Sequence, residues 1–212
     1  MDKLAIFDVD YTITRKETLM ELFKYMVYRD KKNIKFLPRA IYSGAMYALK
    51  VYDEKKVKEK FLKFIDGIDE GDLALLVKDF YKDRLTKIIY KDAINMMNNL
   101  KSEGYKIYLI SASPEFYLKE LYNIDSVDMI IGTKFLFKNG KFIRKMDGAN
   151  CKGEEKIRRL MEVLKREKLE IDFKNSYMFS DSLSDKPLLD LVGKPYLINY
   201  KKKHNFEILR WN

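Results

Sequence analysis

The sequence is poor in cysteine, histidine and proline, with one, one and four of these residues among its 212. The lone Cys151 cannot form a disulfide within the chain, which fits a reducing compartment. The lone His204 lies in a basic tail, so a Cys–His nucleophilic couple is not expected. No apolar run reaches 18 residues, and Asp8 and Asp10 interrupt the apolar opening that a secretory signal would need. These absences predict a soluble cytoplasmic protein.

The chain is rich in positive charge, because 42 Lys and Arg residues against 32 Asp and Glu residues give a net charge of +10. The lysines are mixed with acids along helical segments such as 53–63 and 154–168. That pattern is typical of solvated helix faces rather than of a nucleic-acid surface. A positive field would also steer a small anionic substrate toward the protein. We therefore expect no nucleic-acid partner.

Hydrophobic spacing divides the chain into two parts. Residues 18–87 carry apolar side chains at helical spacing only, whereas strands and helices alternate on either side of this stretch. The pattern predicts an α/β fold, a doubly wound parallel (Rossmann-like) sheet with an inserted helical subdomain. We assign residues 1–14 and 88–212 to the core and residues 15–87 to this subdomain, called the cap below.

Two local signals refine the prediction for the core. Asn139-Gly140 stands between two apolar runs, which predicts a tight β-hairpin. Ser113-Pro114 follows a predicted strand, which predicts a helix that begins near Pro114 with Ser113 as its N-cap.

Polar clusters follow the predicted strands, beginning with Asp8 and Asp10 after the first one. Two carboxylates two residues apart repel each other unless they share a proton or neutralise a metal ion. One of them can attack a phosphoryl group while the other exchanges protons with the leaving oxygen and with water. The alternative is an acidic turn. Ser111-Ala112-Ser113 follows a later strand, where a hydroxyl and free N–H groups predict a phosphate site.

Two further clusters complete the pattern. Lys152 stands at a predicted helix start, where a cation could offset phosphate charge, although a lysine in this position is more commonly a solvated surface residue. Asp181 and Asp185 follow another predicted strand and supply oxygen ligands suited to Mg²⁺, with a serine-rich acidic turn as the alternative. Each cluster is ambiguous by itself, and their order after successive strands is the informative feature.

In this order the clusters resemble the four motifs of the haloacid dehalogenase superfamily of phosphatases, in the helical-cap subclass that includes phosphoserine phosphatases. The matching residues are Asp8, Asp10 and Thr12 in the first motif, Ser111 in the second, Lys152 in the third, and Asp181 and Asp185 in the fourth. The resemblance covers nearly the whole chain.

The resemblance implies a role for each matching residue. Asp8 would be the nucleophile and a Mg²⁺ ligand, and Asp10 the general acid/base with its backbone carbonyl on the metal. The other implied roles are phosphate binding by Ser111, Ala112 and Lys152, metal binding by Asp181, support of the metal site by Asp185, and orientation of the first loop by Thr12. Mg²⁺ is the implied cofactor.

The sequence departs from phosphoserine phosphatases in two motifs. Ser184 stands where those enzymes have a phosphate-contacting Asn, and their usual Ser-Gly-Gly is replaced by Ser111-Ala112-Ser113. Glu17 falls near a substrate-recognising Glu of those enzymes, although an acid at a helix start is more often a partner of the helix dipole. The chain therefore resembles relatives of phosphoserine phosphatase more than that enzyme itself.

Within the cap, residues 31–52 contain five basic residues, no acid and many apolar side chains. We favour a cap helix that packs on its neighbours. The alternative is an amphipathic surface that touches a membrane or a lipid phosphate, because basic and aromatic helices bind anionic interfaces.

These patterns predict a Mg²⁺-dependent phosphomonoester hydrolase that acts through a phosphoaspartyl intermediate on a small phosphorylated metabolite, with phosphoserine as the first candidate. The alternatives are a phosphatase of a lipid phosphate, a phosphotransferase or mutase, and a binding protein without catalysis. The set of Asp8, Asp10, Lys152 and Asp181 argues against the last, since a binding module needs no acid/base pair. The sequence makes no prediction of the oligomeric state.

Overall fold

The computed structural model describes all 212 residues and contains a six-stranded sheet and a separate two-stranded hairpin. The strands of the large sheet are β1 (Lys3–Phe7), β2 (Tyr105–Pro114), β3 (Val127–Thr133), β6 (Tyr177–Ser180), β7 (Lys194–Ile198) and β8 (Glu207–Leu209), and the hairpin is β4 (Phe135–Lys138) and β5 (Lys141–Met146). The sheet has the order β3-β2-β1-β6-β7-β8, and all its neighbours are parallel. This topology confirms the predicted doubly wound α/β fold and adds β8, which the sequence analysis did not predict.

Nine α-helices cover the sheet or form the cap. They are α1 (Thr18–Arg29), α2 (Leu37–Ala48), α3 (Glu54–Phe61), α4 (Glu70–Phe80), α5 (Thr86–Ile88), α6 (Lys91–Ser102), α7 (Glu115–Leu118), α8 (Glu154–Arg166) and α9 (Lys186–Leu191). Short 3-10 helices cover Lys31–Phe36, Leu62–Ile65, Lys119–Asn123, Phe173–Asn175 and Leu183–Asp185, and a π-helical turn covers Tyr81–Leu85. None of these helices combines the length and the apolar character that crossing a bilayer would require.

β1 lies at the centre of the sheet, between β2 and β6. Its residues from Leu4 to Phe7 are fully buried, because helices cover both faces of a parallel sheet. Phe7 stacks on Phe179 of β6, with 4.5 Å between the ring centroids. The chain runs outward from β1 to β2 and β3 on one side and to β6, β7 and β8 on the other. Ligands of doubly wound sheets bind at the carboxyl ends of the strands at such a switch point.

The cap leaves the core and returns to it through a narrow neck. Thr14 forms a bridge with Ile89, and the N–H of Arg15 donates to the carbonyl of Ile88 at 2.7 Å. Only helical elements lie between these two crossings. The cap packs on one face of the sheet in a shared cluster of 34 buried apolar residues. The cap boundaries at residues 14 and 88 stay a prediction. The hydrogen bonds at the neck agree with them.

The predicted hairpin is present, and its turn residues Asn139 and Gly140 have positive φ angles of 52° and 70°. The hairpin also forms backbone hydrogen bonds with the cap. The N–H of Gly67 donates to the carbonyl of Phe142 at 2.8 Å, and the N–H of Phe142 donates to the carbonyl of Ile68 at 2.9 Å. The hairpin therefore joins the cap by hydrogen bonds, although it belongs to the stretch that we assigned to the core.

Candidate active site

The first loop begins where β1 ends at the switch point. The N–H of Asp8 still donates to the carbonyl of Phe179 at 2.9 Å, which continues the pairing with β6. The chain then turns back sharply, because the N–H groups of Ile13 and Thr14 both donate to the carbonyl of Val9 at 3.0 Å. Strand and turn together direct the loop into a cavity of about 330 Å³ at the carboxyl edge of the sheet.

This cavity collects nearly all the residues that the sequence analysis singled out. Those that line it are Asp8, Asp10, Glu17, Ser111, Ala112, Lys152, Asp181, Ser184 and Asp185. Thr12 lies behind the lining, fully buried, and its hydroxyl accepts a hydrogen bond from the N–H of Asp181 at 2.8 Å. Thr12 thereby ties the first loop to the loop after β6.

The cation beside Asp8 is Lys156, which the sequence analysis did not identify. Its Nζ donates to Asp8 Oδ1 at 2.8 Å and to Asp185 Oδ2 at 2.7 Å, and its side chain is only 2% exposed. Asp185 also accepts from the hydroxyl of Ser180 at 2.9 Å. Burial raises the pKa of Asp8 to about 7 against the pull of Lys156, and the charges of Asp185 and Asp10 raise it further. One buried cation is therefore shared between two carboxylates.

Lys152 lines the cavity but is solvated, as in the alternative that the sequence analysis gave for it. Its side chain is 41% exposed at the rim of the cavity, where its Nζ forms an ion pair with Glu54 of the cap. The phosphate-binding role that the resemblance implies for Lys152 stays a prediction, and the buried lysine that is hydrogen-bonded to Asp8 and Asp185 is Lys156. A signal for this was present, because Lys156 shares one face of α8 with the buried Leu160 and Leu164 at spacings of four residues.

Asp10 is held by two donors. Its Oδ1 accepts from the N–H of Thr18 at the start of α1 at 2.7 Å, and its Oδ2 accepts from the hydroxyl of Ser113 at 2.5 Å. The prediction that Ser113 caps a helix is therefore wrong. α7 begins at Glu115 without a side-chain cap, because the hydroxyl of Ser113 is engaged with Asp10 across 103 residues of sequence.

The second motif lines the same cavity as the first. Ser111 is buried in the last part of β2, and its hydroxyl accepts from the N–H of Ser113 at 3.1 Å. The carbonyl of Ala112 accepts from the Nζ of Lys58, a cap residue, at 2.7 Å. Lys58 also donates to Asn150 Oδ1 at 2.9 Å, and burial lowers its pKa. A cap cation thus reaches across the cavity to the core.

Glu17 has both features that the sequence analysis considered. It is the N-cap of α1, since its Oε2 accepts from the N–H of Met20 at 2.8 Å. It also lines the cavity, and burial raises its pKa to about 7, with the nearby charge of Asp10 acting in the same direction.

The acidic side chains suit a hydrated divalent cation. Burial raises the pKa of Asp181 to about 6, and the charge of Asp185 adds to this effect. Lys156 is the one cation hydrogen-bonded to this group of carboxylates. No set of three or more His, Cys, Asp or Glu side chains is grouped closely enough to hold a metal ion. Mg²⁺ needs only one or two carboxylates besides water and substrate oxygens, and Asp8 and Asp181, which both line the cavity, would be that donor set.

Comparisons with known proteins identify the family of this chain. A family model described as haloacid dehalogenase-like hydrolase matches residues 5–190. A probable phosphatase of Mycobacterium tuberculosis is 22% identical over 198 residues, 92% of this chain and 68% of that protein. A phosphoserine phosphatase of the same organism is 24% identical over 205 residues, 92% of this chain and 64% of that protein.

A solved structure from Bordetella pertussis, of a protein with unknown function, has the same fold. It superposes with a TM-score of 0.85 at 21% identity and covers 95% of this chain and 92% of its own. The family model spans far more than half of the sequence. The chain therefore belongs to the haloacid dehalogenase-like hydrolases, the family that the motifs at its strand ends resemble, and it is an enzyme.

Proposed function

We propose that the protein is a Mg²⁺-dependent phosphatase that hydrolyses phosphomonoesters through a phosphoaspartyl intermediate on Asp8. One observation carries the proposal: Asp8 and Asp10 line the same cavity at the switch point, and Asp8 is hydrogen-bonded to the buried Lys156. A nucleophile, an acid/base partner and a buried cation are what a two-step phosphoryl transfer requires.

Asp8 is suited to attack phosphorus. Lys156 occupies its Oδ1, which leaves Oδ2 without a hydrogen-bond partner in the protein. In the first step this oxygen bonds to phosphorus while the bond from phosphorus to the ester oxygen breaks. In the second step water bonds to phosphorus and Asp8 leaves as a carboxylate. Lys156 stays beside Asp8 throughout and offsets charge on the carboxylate.

Asp10 is suited to move the protons of both steps. It would donate a proton to the departing ester oxygen and later take one from the attacking water. The N–H of Thr18 and the hydroxyl of Ser113 orient its carboxyl group. The Ser113 hydroxyl also lies 3.2 Å from that of Thr18, so it can change its donor direction when Asp10 gains a proton.

The remaining predicted residues would hold the phosphoryl group and the metal. We assign phosphate contacts to the hydroxyl of Ser111, the N–H of Ala112 and the ammonium of Lys156, and we assign an outer position at the rim to Lys152. Asp8, Asp181 and the backbone carbonyl of Asp10 would hold Mg²⁺, which when bound would offset the charge of the phosphoryl oxygens.

The cavity supports a small phosphorylated metabolite as the substrate. Its volume of about 330 Å³ suits a small molecule, and its cap side presents the carboxyl of Glu17 and the ammonium of Lys58. An amino acid phosphate carries an amine and a carboxylate, which these two groups could bind. Phosphoserine is therefore the first substrate to test, and the phosphoserine phosphatase among the relatives supports this choice.

The test is hydrolysis of a chromogenic phosphate ester with and without Mg²⁺, by the wild type and by Asp8→Asn. We expect a chelator to abolish turnover, Mg²⁺ to restore it, and Asp8→Asn to lose activity on the order of a thousandfold or more. Asp125→Asn, at an exposed aspartate outside the cavity, is the matched control and should retain activity. Full activity in Asp8→Asn would rule out the covalent mechanism.

A further inference from the structure

The outer face of α2 exposes apolar side chains to solvent. Ser43 is the only fully buried residue of this helix, so the tight packing that we favoured from the sequence applies to only one side of it. Ile41 is 65% exposed and Leu49, directly after the helix, is 67% exposed. Leu37 and Ile41 are four residues apart and share one helix face, with Tyr42 beside them. An exposed helix face is ordinarily polar, so this one is unusual.

The same surface carries positive charge and no negative charge. Residues 31–52 contain no acid, and their five cations are all exposed: Lys31, Lys32, Lys35, Arg39 and Lys50. None of these five takes part in an ion pair. Some cap cations outside this stretch are paired, for example Lys24 with Glu21 and Lys63 with Asp66. We call the exposed apolar residues of this stretch and these five cations the α2 surface.

Contiguous exposed apolar residues on a folded domain mark an interaction site, and the charge of this one restricts the partner. A second copy of the chain would bring two acid-free basic surfaces together, which like-charge repulsion opposes. An anionic lipid bilayer offers both complements, negative head groups for the cations and an acyl boundary for the apolar side chains.

We propose that the α2 surface docks the protein on anionic membranes. Ile41, Tyr42 and Leu49 would enter the boundary between head groups and acyl chains, while Lys35 and Arg39 would contact the head groups. Docking is a function beyond phosphate hydrolysis, and it does not depend on the phosphatase mechanism. It would place the membrane close to the cavity, because Tyr47 of the same helix lines the cavity.

The first test is flotation of the full-length protein with vesicles of phosphatidylcholine alone or mixed with phosphatidylglycerol. We expect binding to the mixed vesicles at low salt, weaker binding at high salt as the head-group attraction is screened, and no binding to phosphatidylcholine alone. Absence of binding to the mixed vesicles at low salt would overturn the proposal.

Two double variants then locate the surface. Ile41→Ser with Leu49→Ser removes apolar contacts, and Lys35→Glu with Arg39→Glu reverses two charges. We expect each pair to weaken vesicle binding by about tenfold or more. The charge-matched control is Lys165→Glu with Lys174→Glu, at exposed core lysines, which should change binding by less than about threefold. An equal loss in this control would overturn the assignment to the α2 surface.

Two readouts distinguish membrane docking from a change in catalysis and from self-association. Hydrolysis of the soluble chromogenic ester should be unchanged in the apolar double variant, because neither Ile41 nor Leu49 lines the cavity. Failure of the phosphatase mechanism would thus leave the vesicle-binding result intact. Failure of vesicle binding would likewise leave the hydrolysis result intact. Analytical ultracentrifugation should give the same mass for wild type and variant. A dimer that dissociates in the variant, together with no vesicle binding, would identify the surface as a self-association site instead.

Discussion

The ion pairs on the core side of the cavity, called the floor below, are buried, whereas the ion pair on its cap side, called the roof below, is exposed. On the floor, in the core, Lys156 lies between Asp8 and Asp185 with 2% of its side chain exposed. On the roof, Glu54 of the cap pairs with Lys152, and 29% and 41% of their side chains are exposed. The residues of all three ion pairs line the same cavity.

This difference in burial implies a difference in how much each ion pair contributes to stability. Removal of one partner of a buried ion pair leaves an uncompensated charge, which typically costs about 3–5 kcal/mol. An exposed pair contributes about 0–1 kcal/mol, because water and salt screen it. Loss of the buried pairs of Lys156 is therefore expected to cost far more stability than loss of the exposed pair of Lys152 and Glu54.

The largest effect is expected for Lys156→Met. It should lower the free energy of unfolding by about 3–5 kcal/mol, because Asp8 and Asp185 lose their shared cation. Phosphatase activity should fall on the order of a thousandfold. Urea unfolding and steady-state hydrolysis measure the two effects.

The control is Lys152→Met, four residues earlier in sequence. It should change the unfolding free energy by less than about 1 kcal/mol and reduce activity only a few-fold. If Lys152→Met proved as damaging as Lys156→Met, the buried floor pair would not be the important one, and the third-motif role would return to Lys152.

The second largest effect is expected when a buried isoleucine of the cap is shortened, in comparison with an exposed one. Ile65→Ala should lower the free energy of unfolding by about 2–5 kcal/mol, because Ile65 is fully buried and the change leaves a cavity. Ile41→Ala, the same change on the exposed side of α2, should cost less than about 0.5 kcal/mol. Thermal and urea unfolding of both variants give the comparison. Equal losses would mean that the outer face of α2 is packed in solution.

The smallest effect is expected at the contact that crosses the cavity. Lys58→Met removes the hydrogen bonds to the carbonyl of Ala112 and to Asn150. We expect the KM for an anionic substrate to rise about tenfold with little change in kcat, because a charged hydrogen bond is worth about 1.5–3 kcal/mol. Lys60→Met, on the same helix but outside the cavity, is the control. A loss confined to kcat would instead make Lys58 part of the reacting site.

Much of the fold was predictable because its signals are local. The buried strand before Asp8, the helical spacing of the cap and the Asn139-Gly140 turn each depend on neighbouring residues. β8 was not predicted, since it is three residues long and follows a polar segment. The attachment of the hairpin to the cap was also missed, because its bonds join segments about 75 residues apart.

The candidate site divides in the same way. The sequence by itself determined that Asp8, Asp10, Ser111 and Asp181 would meet, because residues that follow parallel strands gather at one edge of the sheet. The tertiary structure alone decided which side chains touch. It paired Lys156, rather than Lys152, with Asp8, because α8 turns that face toward the buried floor.

The contacts of Ser113 and of the outer face of α2 were also decided by the tertiary structure. The hydroxyl of Ser113 could cap a helix or bond to Asp10, and only the approach of the first loop selects the second. The apolar residues of α2 have helical spacing whether a protein neighbour covers them or not. Local pattern determines the element and the edge at which it ends, and long-range packing determines what each side chain contacts.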